Sequence, residues 1–409
     1  MSSTRSDATH ATWRPVEIST KLPAVPLSSS LRRVRVEAMD DSGTVSPVVE
    51  MATTSKSGPL VVDEVASLEQ VRSDWQRLTQ EDADLFRSYE WAQAWEAAAG
   101  ADRRMLLRFT EPGGTVVGIA RLARLRSLPV RLYGFEGQGR SNQVGPVCQP
   151  RHRAAVAESL RSIIAPRGSR PGVLLARGLM GAEGWSGLLG GEVVSRLPSP
   201  VLRLGDQDWE QWLATRSKNF RQQVGKLERR LERAHGLEYH QVTDPAALGG
   251  AFEEMFALHD ARWQGGSTYF APLGRVLHGA FGRIALERGW LRLWRADLDG
   301  RPAAYWLGYF YGGDYWSFQV ARDPAYAEQS IGLVLLTHAV RCAFAERATR
   351  FRHLSGTQEY KLRFANEDAG HETVLVTSRY LAPPGRVAFA AGLKAPAPVR
   401  AQLERRLHL

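Results

Sequence analysis

The chain has 409 residues, 44% of them hydrophobic, with 12 tryptophans and a formal net charge of +10. That length predicts two domains with sizeable cores. No run approaches the ~20 apolar residues of a membrane span, and the opening stretch has no apolar segment of the secretory kind. Both exclusions predict a cytoplasmic protein, while the positive charge asks for an anionic partner without choosing among nucleic acid, membrane surface and small anion.

Residues 1–58 are rich in Ser, Thr, Pro and Ala, lack periodicity and read as a disordered leader. A strand and then a helix starting at Ser67 follow, the helix carrying Leu68, Val71, Trp75 and Leu78 on one face. "YEWAQAWEAAAG" is a second helix ending at Gly100, and "RRMLLRFTEPGGTVVGIARLARL" is a hairpin about a Pro-Gly-Gly turn. After a strand near "VRLYGF" come a glycine-rich loop from Gly134 to Gly145, a helix over about 151–164, and the strands "GVLLAR" and "EVVSRL". The loop falls short of the G-x-G-x-x-G dinucleotide pattern because position 142 is Asn, so it reads as a connection. Residues 59–200 therefore form a mixed α/β module.

The second half repeats this grammar over 201–380 and leaves 381–409 as a tail. "KNFRQQVGKLERRLERAHG" sets Phe220, Val224, Leu227 and Leu231 at helical spacing and stops at Gly236. "AALGGAFEEMFALHDARW" places Leu248, Phe252, Met255, Phe256, His259 and Trp263 on one stripe. "WLRLWRADLDGRPAAYWLGYFYGGDYWSFQV" reads as three antiparallel strands joined at Asp299-Gly300 and Gly312-Gly313-Asp314. A polar loop then opens the apolar helix at Gln329-Ser330-Ile331-Gly332, and the strand "TRFRHLSG", the segment "TQEYKLRFANE" and the strand "ETVLVTSRYL" close the module. The fold class is α/β in the α+β sense: two tandem modules with mixed, mostly antiparallel sheets flanked by helices.

The start of the apolar helix carries the functional signal. The first helical turn leaves backbone N–H groups unpaired beside a partial positive charge, which suits an anion. Gly332 leaves room for one to approach, and Gln329 and Ser330 can donate. Plain capping by Ser330, with no ligand, fits the same residues.

In order, the antiparallel meander, the loop Gln329-x-x-Gly332-x-Val334, the apolar helix, a strand and a tyrosine resemble the acyl-CoA core of the GNAT N-acetyltransferases. In that family a Q/R-x-x-G-x-G/A loop wraps the cofactor pyrophosphate, so Val334 stands where the family has a small residue. Over about 60–380 the chain is similar to the CelD-like group of cellulose and exopolysaccharide biosynthesis. The stretches that carry this likeness are "KNFRQQVGKLERRL", "LHDARW", "DPAYAEQSIGLVLL" and "EYKLRF". That group is similar in turn to the Fem aminoacyl ligases of peptidoglycan. The resemblance implies a degenerate first module and a second module in which acetyl-CoA or another acyl-CoA meets Val320, Gln329, Ser330, Ile331, Gly332, Leu333 and Val334. It also implies two GNAT-like modules of related fold.

Acyl transfer from a thioester to an amine asks for a base to strip the amine and a proton donor for the thiolate. Tyr360 is a candidate donor or a packing tyrosine, and Glu359 and Asp314 are candidate bases or solvated carboxylates. Lys361 lies in "EYKLRF", which looks like the Tyr-Lys-x-x-Phe/Trp stretch of the CelD-like and Fem-like groups. It can hold a phosphate, stabilise an oxyanion or sit on the surface. His259, Arg262 and Trp263 are candidates for the acceptor cleft, with a buried core role open for the histidine. Residues 216–233 carry seven basic side chains against two acidic. That helix reads as a solvated face, a patch for an anionic sugar or a tRNA-binding face.

Cys148 and Cys342 sit in apolar stretches with no metal-ligand spacing, so both read as reduced core residues and no metal is expected. The resulting expectation is an N-acyltransferase acting on an amine of a sugar or other polar metabolite. The alternatives are a Fem-like transferase using aminoacyl-tRNA on a cell-wall precursor, and a non-catalytic binding protein of a polysaccharide system, the last sustained by Val334.

Overall fold

Caps and turns set most of the element boundaries. The structure is a computed structural model that describes residues 59–80, 83–101, 104–126, 131–164, 172–264, 267 and 269–377. All of them belong to one unit, Thr54–Leu409. The expected leader 1–58 and tail 381–409 lie outside the described residues.

In the first half, β1 (Val61–Val65) leads to α1 (Arg72–Thr79) through Ser67, whose N–H donates to the Gln70 side chain at 3.2 Å. α2 (Tyr89–Ala99) is capped by the Ser88 hydroxyl and stops at Gly100, φ 72°. β2 (Arg104–Thr110), β3 (Val116–Arg126), β4 (Arg131–Phe135), β5 (Val147–Cys148), α3 (Arg153–Ile164), β6 (Gly172–Met180), α4 (Trp185–Leu188) and β7 (Glu192–Leu197) follow.

The second half runs β8 (Pro200–Arg203), α5 (Trp209–Ala214), α6 (Lys218–His235), β9 (Glu238–Gln241), α7 (Pro245–Trp263), α8 (Pro272–Glu287), β10 (Leu291–Leu298), β11 (Arg301–Tyr311) and β12 (Asp314–Arg322). It continues with α9 (Ile331–Ala345), β13 (Arg350–Arg352), α10 (Glu359–Phe364), β14 (Glu367–Asp368) and β15 (His371–Thr377). The β11–β12 turn has φ 60° at Gly312 and 78° at Gly313, a pair of positive values that matches the twist of the flanking strands.

One sheet has the order β1-β2-β3-β4-β6-β15-β7, with β5 on β3, and the other β14-β8-β13-β12-β11-β10-β9. Pairing is antiparallel except for β4–β6 and β12–β13. The fold is mixed α/β, with two sheets flanked by helices.

The halves interlock. β15, read from the sequence as the closing strand of the second module, instead pairs with β6 and β7 in the first sheet. Its Val374 and Val376 pack with Leu174, Ala176 and Leu160. An apolar strand carries no address of its own, and here the first sheet supplies the gap. In return, Trp91 and Trp95 of α2 pack against the second sheet with Phe281, Tyr309 and Trp316.

The second sheet is covered on both faces. α9 and α6 bury Ile331, Val334, Leu335, Val340, Phe220 and Leu231 on one side, while α7 and α8 bury Phe252, Phe256, Leu277 and Phe281 on the other. α8 has no counterpart in the sequence reading. Glycines at 274, 279 and 282 weaken its helical signal, yet a Cβ at Gly282 would come within 2.5 Å of the Phe252 ring, so that glycine permits the α7–α8 contact. Neither cysteine is in a disulfide; Cys148 is buried and Cys342 half-buried.

Candidate active site

β12 and β13 pair over a short register, from Asp314↔Arg350 to Trp316↔Arg352. Immediately beyond, the β11–β12 register shifts: Gly308 faces Ser317 but Leu307 faces Gln319, leaving Phe318 as the extra residue of a bulge. A bulge bends its strand and ends regular pairing. β13 turns the other way, with the His353 N–H donating to the Pro200 carbonyl at 3.0 Å. The strands thus split, and a cavity of about 130 Å³ occupies the fork. Its walls are residues 317–320 of one strand, 353–355 after the other, Leu336 of α9, Tyr360 and Lys361 of α10, and Asn142 and Tyr269.

α9 begins beside Val320. Ser330 sits in the left-handed region at φ 59° and ψ 33°, and its side chain makes no capping bond, so the plain N-cap alternative does not hold. The Leu333 and Val334 N–H groups return to the Ser330 carbonyl, leaving those of Ile331 and Gly332 at the open end of the helix. Gly332 packs closely on β12: an added Cβ would touch Val320 Cγ1 and Arg322 Cδ, each at 3.3 Å. Two buried polar atoms nearby, Arg322 Nη1 and Gln329 Oε1, have no hydrogen-bond partner. Arg262 at the end of α7 lies over the Trp263 ring at 5.0 Å, and the positive charge of Arg322 reaches it.

A helix start, a close-packed glycine, an orphaned guanidinium nitrogen and a second arginine fit a phosphate-bearing group such as the acyl-CoA pyrophosphate. Val334 is 4% exposed and packs in the core beneath α9.

In the cavity, Tyr360 is held by burial above its ordinary pKa, opposed by Arg262, and its ring is 38% exposed. Lys361 Nζ donates to the Ser355 carbonyl at 2.9 Å, and burial lowers its pKa to about 8. His353 is buried, its pKa is pushed down to about 3 by desolvation and then by the Lys361 charge, and its Nε2 has no partner. The split therefore brings together a protonated phenol, a lysine near neutrality and a neutral imidazole. No carboxylate lines the cavity among the described residues.

The other expected residues fall elsewhere. Asp314 is 1% exposed at the opposite end of β12, roughly 20 Å from Val320 at strand spacing. Arg350 and Arg352 donate to it at 3.0 and 2.6 Å, so it is an ion-pair residue outside the split, not a base within it. Glu359 is exposed at the first position of α10.

His259 is buried in α7 against Phe270 and Trp263, 3.3 Å from the Ser267 hydroxyl, and burial lowers its pKa. It takes the core role. Trp263 is 45% exposed. Sequence reasoning missed His353 and Asn142. The available signal for Asn142 was the polar run Ser141-Asn142-Gln143, all three of which are buried.

The basic face expected on α6 is exposed. Lys218, Arg221, Lys226, Arg229, Arg230 and Arg233 have no carboxylate at ion-pair distance among the described residues, although most arginines elsewhere do. α6 adjoins the site through Arg363 of α10, which donates to Gln223 at 2.6 Å. No group of three or more His, Cys, Asp or Glu is placed to hold a metal ion among the described residues, and none of their helices is long and apolar enough to cross a membrane.

Residues 218–362 match the acetyltransferase (GNAT) domain family. Among solved structures, the chain is similar to L-PGS from Bacillus licheniformis, at 11% identity over 79% of this chain and 97% of that one, TM-score 0.48. It is also similar to FemX, at 11% identity over 77% and 97%, TM-score 0.43. A third likeness is to a tandem GNAT protein from the clavulanic acid biosynthesis pathway, at 14% identity over 78% and 98%, TM-score 0.44. No curated protein matches the chain.

Proposed function

We propose that the protein is an N-acyltransferase that moves an acetyl or other acyl group from acyl-CoA to an amine of a polar metabolite. A sugar amine of polysaccharide biosynthesis is the acceptor that the CelD-like resemblance favours. The observation carrying this reading is the split between β12 and β13, which opens beside the start of α9 and holds Tyr360 and Lys361. The Ile331 and Gly332 N–H groups with Arg322 and Arg262 would hold the phosphates, and Val320, Gln329, Ser330 and Leu333 would line their approach. A bound acyl-CoA supplies an activated thioester carbonyl.

The chain's own residues handle the protons. Tyr360 keeps its hydroxyl proton at neutral pH and can give it from Oη to a departing thiolate. Lys361, near neutrality, can take a proton at Nζ or, when charged, face developing negative charge on oxygen.

A second reading, transfer from aminoacyl-tRNA, is favoured by the unpaired basic face of α6 next to α10. The non-catalytic reading loses its motive, since Val334 points into the core. Thermal unfolding with acetyl-CoA and, separately, with aminoacyl-tRNA distinguishes the first two. A ligand at a hundred times its dissociation constant adds about 2.7 kcal/mol. Stabilisation by acetyl-CoA is expected, and stabilisation by aminoacyl-tRNA alone would replace the first reading by the second.

A further inference from the structure

The glycine-rich loop of the first half ends at the cavity of the second. Gly137, Gly139 and Gly145 have φ of 82°, 84° and 139°, which lets the chain double back between β4 and β5. The loop is pinned on both sides: Trp91 Nε1 donates to the Ser141 hydroxyl at 2.9 Å and the Val144 N–H to the Gly178 carbonyl at 3.1 Å. At Gly178, φ 84°, a Cβ would come within 2.9 Å of the Asn142 carbonyl oxygen, so a glycine there is what allows the approach.

Asn142, thus fixed and 8% exposed, reaches across to the chain after β13. Its Oδ1 accepts from the Ser355 N–H at 2.9 Å and from the Ser355 hydroxyl at 2.6 Å, while its Nδ2 donates to the Tyr269 hydroxyl at 3.4 Å. The Ser355 carbonyl in turn accepts from Lys361 Nζ. The next residue is Gly356, where a Cβ would come within 2.9 Å of that same Nζ. A line of hydrogen bonds therefore runs from the first half of the chain to the lysine in the fork.

We propose that Asn142 is a positioning residue for the acyl-transfer site: through Ser355 it aims Lys361 Nζ into the split between β12 and β13. The proposal rests on the acyltransferase reading and makes the first half of the chain a working part of the site. A lysine ammonium on a flexible four-carbon stem has no direction of its own, so a carbonyl acceptor that is itself held supplies one. The Asn142 amide serves both sides here, accepting from Ser355 and donating to Tyr269. The titratable groups around Lys361 are His353 just after β13 and His371 from the start of β15, which both sense its charge, Tyr269 in the same cavity wall, and Glu359, Tyr360 and Arg363 on its own helix. The first half presents the neutral Asn142.

The test is competitive labelling of lysines with acetic anhydride in the full-length protein across pH, read by mass spectrometry. Lys361 of the wild type should react with a midpoint well below that of ordinary lysines. Asn142→Ala should raise its labelling rate about tenfold relative to the other lysines and move its midpoint toward theirs. Asn142→Asp keeps an acceptor oxygen toward both Ser355 donors, so its rate should stay within about twofold while the new carboxylate raises the midpoint. If Asn142→Ala proves unfolded by circular dichroism, the Asn142→Asp midpoint decides. A lower melting temperature with Lys361 rate and midpoint unchanged in both variants would reduce Asn142 to a structural contact and overturn the proposal. Calorimetry with acetyl-CoA on the same wild-type sample reports on the underlying reading separately: no binding there, with the labelling shifts present, removes the acyl donor and leaves the positioning of Lys361 supported.

Discussion

Within β12, the Asp314 end and the Val320 end treat polar groups in opposite ways. At Asp314 the sheet is paired, and the buried carboxylate is held between Arg350 and Arg352. Arg352 also lies over the Trp316 ring at 4.7 Å. A cleft of about 750 Å³ adjoins this end, and there too the charges are matched, Arg87 meeting Glu183 at 2.7 Å and Asp84 at 3.3 Å. At Val320 the sheet is split, and Arg322 Nη1, Gln329 Oε1 and His353 Nε2 are buried with no partner. Leaving buried polar atoms unsatisfied costs roughly 1–3 kcal/mol each. The proposed acyl-CoA, bound at the split end, would offer partners to those atoms.

That contrast can be broken by variants at each end. Asp314→Ala, at the paired end, should have the largest effect on stability: it strips the counter-ion from two arginines and should cost about 3–5 kcal/mol in urea unfolding, with acetyl-CoA affinity of the folded protein unchanged. Tyr360→Phe, at the split end, should lower turnover about 100-fold, or about 2.7 kcal/mol of barrier, without weakening acyl-CoA binding. An unchanged rate would remove Tyr360 from the chemistry. Val334→Ala should cost about 2 kcal/mol of stability by opening a core cavity and leave acetyl-CoA affinity alone. A gain in affinity would mean that Val334 does crowd the phosphate seat.

The remaining effect is in pH. Lys361 has its pKa lowered in the fold to about 8 from an ordinary 10.5, so between those values the unfolded chain binds more protons than the folded one. Stability should therefore rise with pH across that window. The rise should be absent from Lys361→Met, and its persistence there would assign it to another group.

How much of this was legible in the sequence follows from how local each cause is. The stripe Phe220, Val224 and Leu231 and the stop at Gly236 are set within a few residues, and α6 forms where they predict. The start of α9 was also readable, because the apolar run from Ile331 follows the polar Gln329-Ser330 directly. What could not be read was non-local. Asn142 meets Ser355 across 213 residues, β15 takes its place in a sheet built mostly before residue 200, and α8 hides behind glycines of which Gly282 is required by packing on α7. Asp314 resembled a solvated turn carboxylate or a base because its two arginine partners, at 350 and 352, belong to a different strand. His259 carried a similar ambiguity, settled by Phe270 and Trp263 on either side of its ring.

The central claim is that the start of α9 seats the phosphates of an acyl-CoA. Isothermal titration of acetyl-CoA into the wild type and into Gly332→Asp tests it most directly, because that change puts a side chain and a negative charge at the seat while leaving Tyr360, Lys361 and the fork in place. The account predicts measurable binding to the wild type and a loss of at least about 100-fold in the variant, roughly 2.7 kcal/mol. Equal affinity of the two proteins for acetyl-CoA, or no binding to the wild type, would contradict it.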